Sequence, residues 1–191
     1  MVANGAGAGT SADEHREIAA GFTARVRGAA EAAWESPSPV AGWTARDVVR
    51  HLLEWFPAFL EGGTGIRLPA GPSVDEDPVA AWEHHTAAIQ ALLEDPETAR
   101  SPFRHPRVPE LPLADAVSQF YTADVFMHTW DLARATGQDE RLDPERCRAL
   151  YEGMLPMEEL LRSSGQYGPR VPVPQDADWQ TKMLGFIGRH V

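Results

Sequence analysis

The stretch FYTADVFMHTWDLARATG, residues 120–137, decides the fold of this chain, because it is typical of a long helix with polar groups on its inward face. Asp124 and His128 stand four residues apart, so both side chains leave the same side of the helix. Phe120 and Met127 share that face, and an unpaired polar group among them would be costly to bury. We therefore predict that Asp124 and His128 bind a common metal ion.

A second helix supplies the predicted third ligand, His51. Thr44 and Asp47 form a capping-box pattern with aspartate in place of the usual glutamate, which predicts a helix start at this point. The apolar stripe of that helix includes His51 at its centre and Val48, Leu52, Trp55 and Phe59 around it. Two imidazoles and a carboxylate suit Zn(II) first, with Ni(II), Fe(II) and Mn(II) as alternatives, and three ligands leave a position open.

Four more residues are predicted to lie around the ligands. Asp131 follows His128 by three residues on the same face, and it is either a fourth ligand or an acceptor that orients a ligand such as His51. Trp55, Met127 and His85 are predicted to line the pocket. The segment between Asp124 and His128 is apolar, so it lacks the glutamate that serves as general base in HExxH metalloproteases.

Other reactive side chains are predicted to lie outside the site. Arg134 is interpreted as forming a surface ion pair with Asp131 or Glu140. Cys147 is interpreted as a small buried apolar residue, although its place near a predicted helix start could also stabilise a thiolate. The remaining histidines considered are expected in exposed or terminal settings: His15, His105 and His190.

The bulk properties favour one domain in the cytoplasm. The chain has 191 residues, of which 43% are hydrophobic, and we predict a frayed tail at 1–10 followed by one domain at 11–191. It has no run of about 18 apolar residues, and its first residues lack the basic start of a signal peptide. The net charge of −11 disfavours nucleic acid as a partner, because phosphate binders gather Lys and Arg.

Apolar residues recur mainly at helical spacing, so the predicted fold is all-α, a four-helix bundle with one or two additional short helices. Proline-rich residues 95–112 allow at most a small β-ribbon around 103–108. Gly62 and Gly63 are expected to end the second helix. The predicted helices are 11–34, 44–61, 78–94, 113–136, 144–163 and a short last one around 179–187.

Three segments carry a resemblance to a known family: PSPVAGWTARDVVRHL, FMHTWDLARATGQDERLDPE and the ending YGPRVPVPQDAD with LGFIGRHV. They resemble the DinB-like metal-binding proteins related to the N-terminal domain of mycothiol-dependent maleylpyruvate isomerase, from about residue 11 to the end. The resemblance implies a four-helix bundle with a divalent metal on His51, Asp124 and His128. Relatives similar to the isomerase carry glutamate at the position of Asp124, and other members carry histidine.

The resemblance also implies a thiol-dependent S-transferase or isomerase that activates mycothiol or a similar thiol for attack on an electrophilic small molecule, in a monomer or homodimer. Three alternatives stay open. The chain is a non-catalytic bundle that binds a metal or small ligand, or it is an iron-dependent oxygenase. In the third, Asp124 is held by Arg50 or Thr129 and no metal binds.

Overall fold

The structure, a computed structural model, describes residues 10–106, 108–163, 165 and 167–191, so the predicted tail lies almost wholly outside the described residues. The helices are α1 Ser11–Gly28, α2 Ala45–Thr64, α3 Pro78–Glu94, α4 Pro96–Arg100, α5 Leu113–Ala116, α6 Ala123–Ala135, α7 Pro144–Met154, α8 Glu158–Ser163 and α9 Trp179–Phe186. Two 3₁₀ segments, Glu31–Glu35 and Leu155–Met157, and a π-helical segment, Val117–Thr122, complete the helical part. The predicted all-α fold is confirmed.

Helices α1, α2, α3 and α6 pack on one another around a single apolar core. Its largest fully buried side chains include Trp82, Trp130, Tyr121, Phe22 and Phe56. Helices α7 and α9 pack together as an addition to this bundle. The result is that α2 and α6, which carry the predicted ligands, are neighbours.

A small antiparallel ribbon, β1 Pro102–His105 and β2 Val108–Pro112, lies beside α2. Phe103 pairs with Leu111 in the ribbon, and His105 pairs with Val108. The ribbon is slightly longer than the predicted one. Of the helices that the structure describes, none is long and apolar enough to cross a membrane.

The predicted helix starts agree with the structure because each depends on a local cap. The Thr44 side chain accepts a hydrogen bond from the Asp47 backbone N–H, and the Asp47 side chain accepts one in return from the Thr44 backbone. Asp77 and Asp143 cap α3 and α7, each followed by proline in the first turn. These four-residue patterns need no tertiary contact.

The predicted end of the first helix near residue 34 is wrong, since α1 ends at Gly28. Gln138 accounts for the early end. Its side chain donates to the Arg25 carbonyl at 2.7 Å, and its Oε1 lies 2.4 Å from where a Cβ of Gly28 would be. A residue far along the chain therefore satisfies a carbonyl of the last turn, and the backbone leaves the helix.

Two other predicted helices are interrupted. The single helix expected over 113–136 is divided by the π-helical segment, which ends just before α6 and Asp124. A π segment in place of α turns is often found at functional sites. The helix expected over 144–163 is interrupted by the 3₁₀ segment around Pro156, as a proline inside a helix favours.

The predicted end of the second helix at Gly62 and Gly63 is also wrong, because α2 continues to Thr64. The actual cap is Gly65, whose φ of 77° lies in the left-handed region. Gly63 is needed for a different reason. A Cβ there would lie 2.2 Å from the ring of Phe103, so β1 approaches α2 too closely for any side chain.

Gly63→Ala is therefore expected to lower the free energy of unfolding by about 1–3 kcal/mol, the usual cost of overpacking a core. The matched control is Gly62→Ala, whose Cβ would meet only His105 at 3.7 Å, an ordinary contact. Alanine gains about 0.5–1 kcal/mol over glycine in a helix interior, so the control is expected to be neutral or more stable. Urea unfolding of the three proteins measures both effects. Equal stability of the two variants would contradict the close approach of β1 to α2.

Candidate metal centre

The structure brings together the three predicted ligands, His51 from α2 and Asp124 and His128 from α6. One ligand atom from each lies within 4.8 Å of the others. His51 Nε2 is 3.1 Å from Asp124 Oδ2, and His128 Nε2 is 3.5 Å from Asp124 Oδ1. We call these three residues the trio.

The donor atoms of the trio lie close enough to share one cation. Tetrahedral ligand atoms at bond lengths of about 2.0–2.2 Å are roughly 3.4 Å apart, and His51 Nε2 and His128 Nε2 each lie at a similar distance from one oxygen of Asp124, Oδ2 and Oδ1 respectively. Two imidazole nitrogens and one carboxylate oxygen are a donor set that zinc accepts. The residues present therefore fit a divalent metal with room for a further ligand.

Electrostatics favour the charged forms of the α6 residues. Burial raises the pKa of Asp124, but His128 and His51 more than offset it, and the pKa of the carboxyl is held below its ordinary value. Burial lowers the pKa of His128, and the charges of Asp124 and Asp131 more than offset that, so its pKa is raised. Asp124 is thus an anion in need of cationic partners.

Exposure in the trio is uneven, which gives the site an open side. The side chain of His128 is 7% exposed, whereas those of Asp124 and His51 are 19% and 30% exposed. Solvent therefore reaches the trio over the α2 side. A small molecule could approach the cation position from the same direction.

Two tryptophans border the trio. Trp55, one helical turn after His51, donates its indole N–H to Asp124 Oδ2 at 3.0 Å, which agrees with its predicted place beside the pocket. Trp43, just before the cap of α2, lies with its ring 4.9 Å from that of His51 and 5.9 Å from that of His128. Trp43 is half-buried and forms a wall of the site.

Asp131 contacts His128 and not His51. Its Oδ2 accepts a hydrogen bond from His128 Nδ1 at 2.8 Å, and both of its oxygens accept from Arg189 at 2.8 Å. With Nδ1 as the donor to Asp131, the other ring nitrogen of His128, Nε2, faces Asp124 and is the atom that would bind a cation. Of the two predicted roles, this geometry favours the orienting one over a fourth ligand.

The other predicted pocket residues, Met127 and His85, are buried. Met127 belongs to the apolar core. His85 lies on α3, where its ring is 5.7 Å from that of Tyr121, the residue three before Asp124. Their place in the pocket stays a prediction.

The alternative partners proposed for Asp124 pair elsewhere. Arg50 binds Asp47 and Asp75, and the Thr129 hydroxyl donates to the carbonyl of Val125. Asp124 contacts the histidines and Trp55 instead. The predicted surface pair of Arg134 with Glu140 is present, at 3.4 Å.

Cys147 is fully buried, as its apolar interpretation predicted. Burial, followed by the charges of Asp143 and Asp178, raises the pKa of its thiol to about 12, so the thiolate alternative is not supported. The exposed setting predicted for His15 is wrong. His15 is fully buried, because α1 packs this polar position against the hydroxyls of Thr122 and Thr86.

Two residues near the site were missed by sequence reasoning, Arg189 and Tyr167, and both belong to the C-terminal segment. Burial and the charge of Asp124 raise the pKa of Tyr167 to about 12, so its hydroxyl stays neutral. Nothing local marks either residue, since Arg189 is far in sequence from Asp131. The signal for Trp43 was its place before the cap of the helix that carries His51.

Comparisons with known proteins identify the family of this chain. Residues 15–133 match the family model of the mycothiol maleylpyruvate isomerase N-terminal domain. Two proteins of Mycobacterium tuberculosis described as uncharacterized, one from strain CDC 1551 / Oshkosh and one from strain H37Rv, are each 27% identical. Each match covers 81% of this chain and 84% of the relative.

The fold is similar to that of a solved enzyme. A crystal structure of a histidine-to-alanine mutant of the mycothiol-dependent maleylpyruvate isomerase superposes with a TM-score of 0.53 at 13% identity. The superposition covers 75% of this chain and 68% of that chain. At this identity the likeness concerns the fold alone.

Proposed function

Because this chain belongs to the family of the mycothiol maleylpyruvate isomerase N-terminal domain, we propose that it is a metal-dependent enzyme that uses a low-molecular-weight thiol such as mycothiol. Its reaction is S-transfer to, or isomerisation of, an electrophilic small molecule. The proposed ligands are His51, Asp124 and His128, with zinc as the first choice of metal. The cytoplasmic location and the monomeric or homodimeric state stay predictions of the sequence.

The observation that carries the proposal is the trio itself, with its three donor atoms within 4.8 Å of one another and one open side. A structural zinc site has four protein ligands, whereas a catalytic one keeps a position free. Three protein donors with His51 on the exposed side correspond to the second kind. The donor set contains no thiolate, which leaves sulfur coordination to an incoming ligand.

A bound divalent cation lowers the pKa of a thiol that coordinates it and so provides a thiolate at neutral pH. The protein residues prepare the site for this. Trp55 holds Asp124 through one carboxylate oxygen, and Asp131 keeps the proton of His128 on Nδ1. Trp43 shields both histidine rings from water on one side. The arrangement binds and orients a thiol beside the Trp43 ring, on the side from which water is partly excluded.

One observation favours a second candidate, a bundle that binds a metal or small ligand without catalysis. Among the described residues, the side chains that hydrogen-bond to the trio from outside are Trp55 and Asp131, and each is engaged with a ligand. No separate acid or base touches the trio in this part of the chain. If the protein is an enzyme despite this, the sulfur of the bound thiol is itself the nucleophile.

Titration of the zinc-loaded protein with mycothiol tests the proposal directly. We expect binding at one thiol per metal together with release of one proton, because the bound form is the thiolate. The control is the same titration on protein stripped by a chelator, which is expected to show neither signal. Elemental analysis of the purified protein measures the metal at the start.

The two candidates give different outcomes. Zinc binding without any response to thiol would reject the thiol-dependent enzyme and leave the non-catalytic bundle. Failure of the purified and zinc-supplied protein to hold a metal would reject the thiol-dependent metalloenzyme and the metal-binding bundle, and would leave a bundle that binds a small ligand. Thiol binding to the stripped protein at equal affinity would reject the role of the trio.

A further inference from the structure

A buried ion pair joins the C-terminal segment to the candidate metal centre. Arg189 donates from Nε to Oδ1 of Asp131 and from Nη2 to Oδ2, both at 2.8 Å. The side chain of Asp131 has no exposed surface, and that of Arg189 is 14% exposed. A two-point pair of this kind fixes the plane of the carboxylate as well as its charge.

The backbone after α9 is shaped to deliver this arginine. Gly188 has a φ of 88°, and a Cβ there would lie 3.0 Å from the carbonyl oxygen of Pro169. The chain turns back at that point, and the Arg189 N–H donates to the carbonyl of Leu184 at 2.8 Å. The guanidinium is therefore positioned by the docked end of α9.

We propose that Arg189 is a positioning residue that couples cation binding at the trio to the docking of α9 on the bundle. It does so through Asp131, which it holds as the acceptor of the His128 Nδ1–H. The inference rests on the proposed function only in requiring that a cation binds the trio. It requires no thiol chemistry.

The coupling follows from one shared oxygen. Asp131 Oδ2 accepts from both His128 Nδ1 and Arg189 Nη2. Without the guanidinium, the buried carboxylate loses the two hydrogen bonds that fix its plane. It is then free to rotate, and His128 loses the acceptor that holds its Nδ1–H and the orientation of its ring.

The expected effect on metal affinity is the one typical of such outer partners. Loss of a group that orients a metal-binding histidine weakens the affinity by about 10- to 100-fold. Coupling between two equilibria is reciprocal: if undocking of α9 weakens cation binding by some factor, a bound cation favours the docked state by that factor. Zinc affinity and the protection of α9 therefore test the coupling by two independent measurements.

The test measures zinc affinity by competition with a chromogenic chelator, and amide hydrogen exchange in α9 with and without zinc. Arg189→Met is expected to weaken zinc binding about 10- to 100-fold. Arg189→Lys keeps the positive charge but cannot form the two-point hydrogen bond. Its zinc affinity is expected to lie between those of Arg189→Met and the wild type. Zinc is expected to slow exchange in α9 of the wild type and to leave it unchanged in Arg189→Met.

The matched control is Arg134→Met, which removes an arginine whose partner is Glu140 on a 40% exposed surface pair. Neither its zinc affinity nor its zinc-dependent exchange is expected to change. If Arg189→Met does not fold, zinc affinity and hydrogen exchange are both measured on Arg189→Lys.

If the wild type binds zinc, three results would overturn the coupling. Zinc affinity of Arg189→Met equal to that of the wild type would show that Asp131 needs no guanidinium. Tighter binding would show that an uncompensated Asp131 attracts the cation more than it misorients His128. Zinc-dependent protection of α9 that persists in Arg189→Met would show that zinc stabilises α9 through a contact other than Arg189. A wild type that binds no zinc overturns the proposed function as well, so the two failures are distinguishable.

Discussion

His128→Ala is expected to abolish stoichiometric zinc binding and thiol binding together. His128 is the most buried member of the trio, and its two ring nitrogens connect Asp124 with Asp131. Its loss removes a ligand atom and also leaves Asp131 with one partner fewer. The fall in zinc affinity should therefore exceed the roughly 10- to 100-fold typical of residues that only orient a ligand.

The control for this experiment is His84→Ala, which removes a half-buried histidine of α3 whose Nε2 lies 3.3 Å from the Pro69 carbonyl. It is expected to keep full metal occupancy. Asp124→Asn provides a second loss of a ligand with little change in volume, and circular dichroism checks that each variant is folded. Full zinc occupancy in folded His128→Ala would show that the trio is not the metal site.

The trio could be predicted from the sequence because each member is recognisable from residues close to it in the chain. Asp124 and His128 share a helix face at a spacing of four, and His51 interrupts an apolar stripe in the same way. The helix that carries His51 also has a local start signal, the capping box of Thr44 and Asp47. Such patterns involve residues a few positions apart, so they can be recognised without knowledge of the fold.

The parts that could not be predicted depend on contacts between distant segments. Gln138 ends α1, and Phe103 leaves no room for a side chain at Gly63, although neither is near its partner in sequence. Arg189 reaches Asp131 only after α9 has docked. The prediction for His15 was wrong for a related reason. A polar residue near a chain end suggested exposure, but hydroxyl groups of Thr122 and Thr86 on two other helical segments hydrogen-bond to its ring.

Acidification from pH 6.5 to pH 4 is expected to destabilise this protein through His15. Burial lowers the pKa of His15 to about 4, against about 6.5 for an unfolded histidine. Below pH 6.5 the unfolded state binds a proton that the folded state does not, so the free energy of unfolding falls as the pH falls. The fall reaches about 3 kcal/mol at pH 4, which is a large share of a typical stability of about 5–15 kcal/mol.

His85 acts in the same direction, since burial, followed by the charges of His15 and His84, lowers its pKa to about 4. His128 acts in the opposite direction. Its raised pKa gives stability that is present below pH 6.5 and is lost as the pH rises through its folded value. The lowered pKa of Asp131 gives stability that is lost only as the pH falls below about 4. Between pH 6.5 and about 5, where carboxyl groups are still ionised in the unfolded chain, the change is therefore due to the two buried neutral histidines.

His15→Gln removes one of these groups and keeps a polar side chain beside Thr86 and Thr122. Urea unfolding of chelator-treated protein at several pH values between 7 and 4 measures the dependence, with chelation removing any contribution of metal binding. We expect the curve of the variant to be flatter than that of the wild type, while His84→Gln keeps the wild-type slope. The variant loses stability at neutral pH and gains relative to the wild type as the pH falls, so the two curves approach each other. Parallel curves would mean that His15 titrates in the folded protein as it does in the unfolded chain, and the burial of its ring between α1, α3 and α6 would then be wrong.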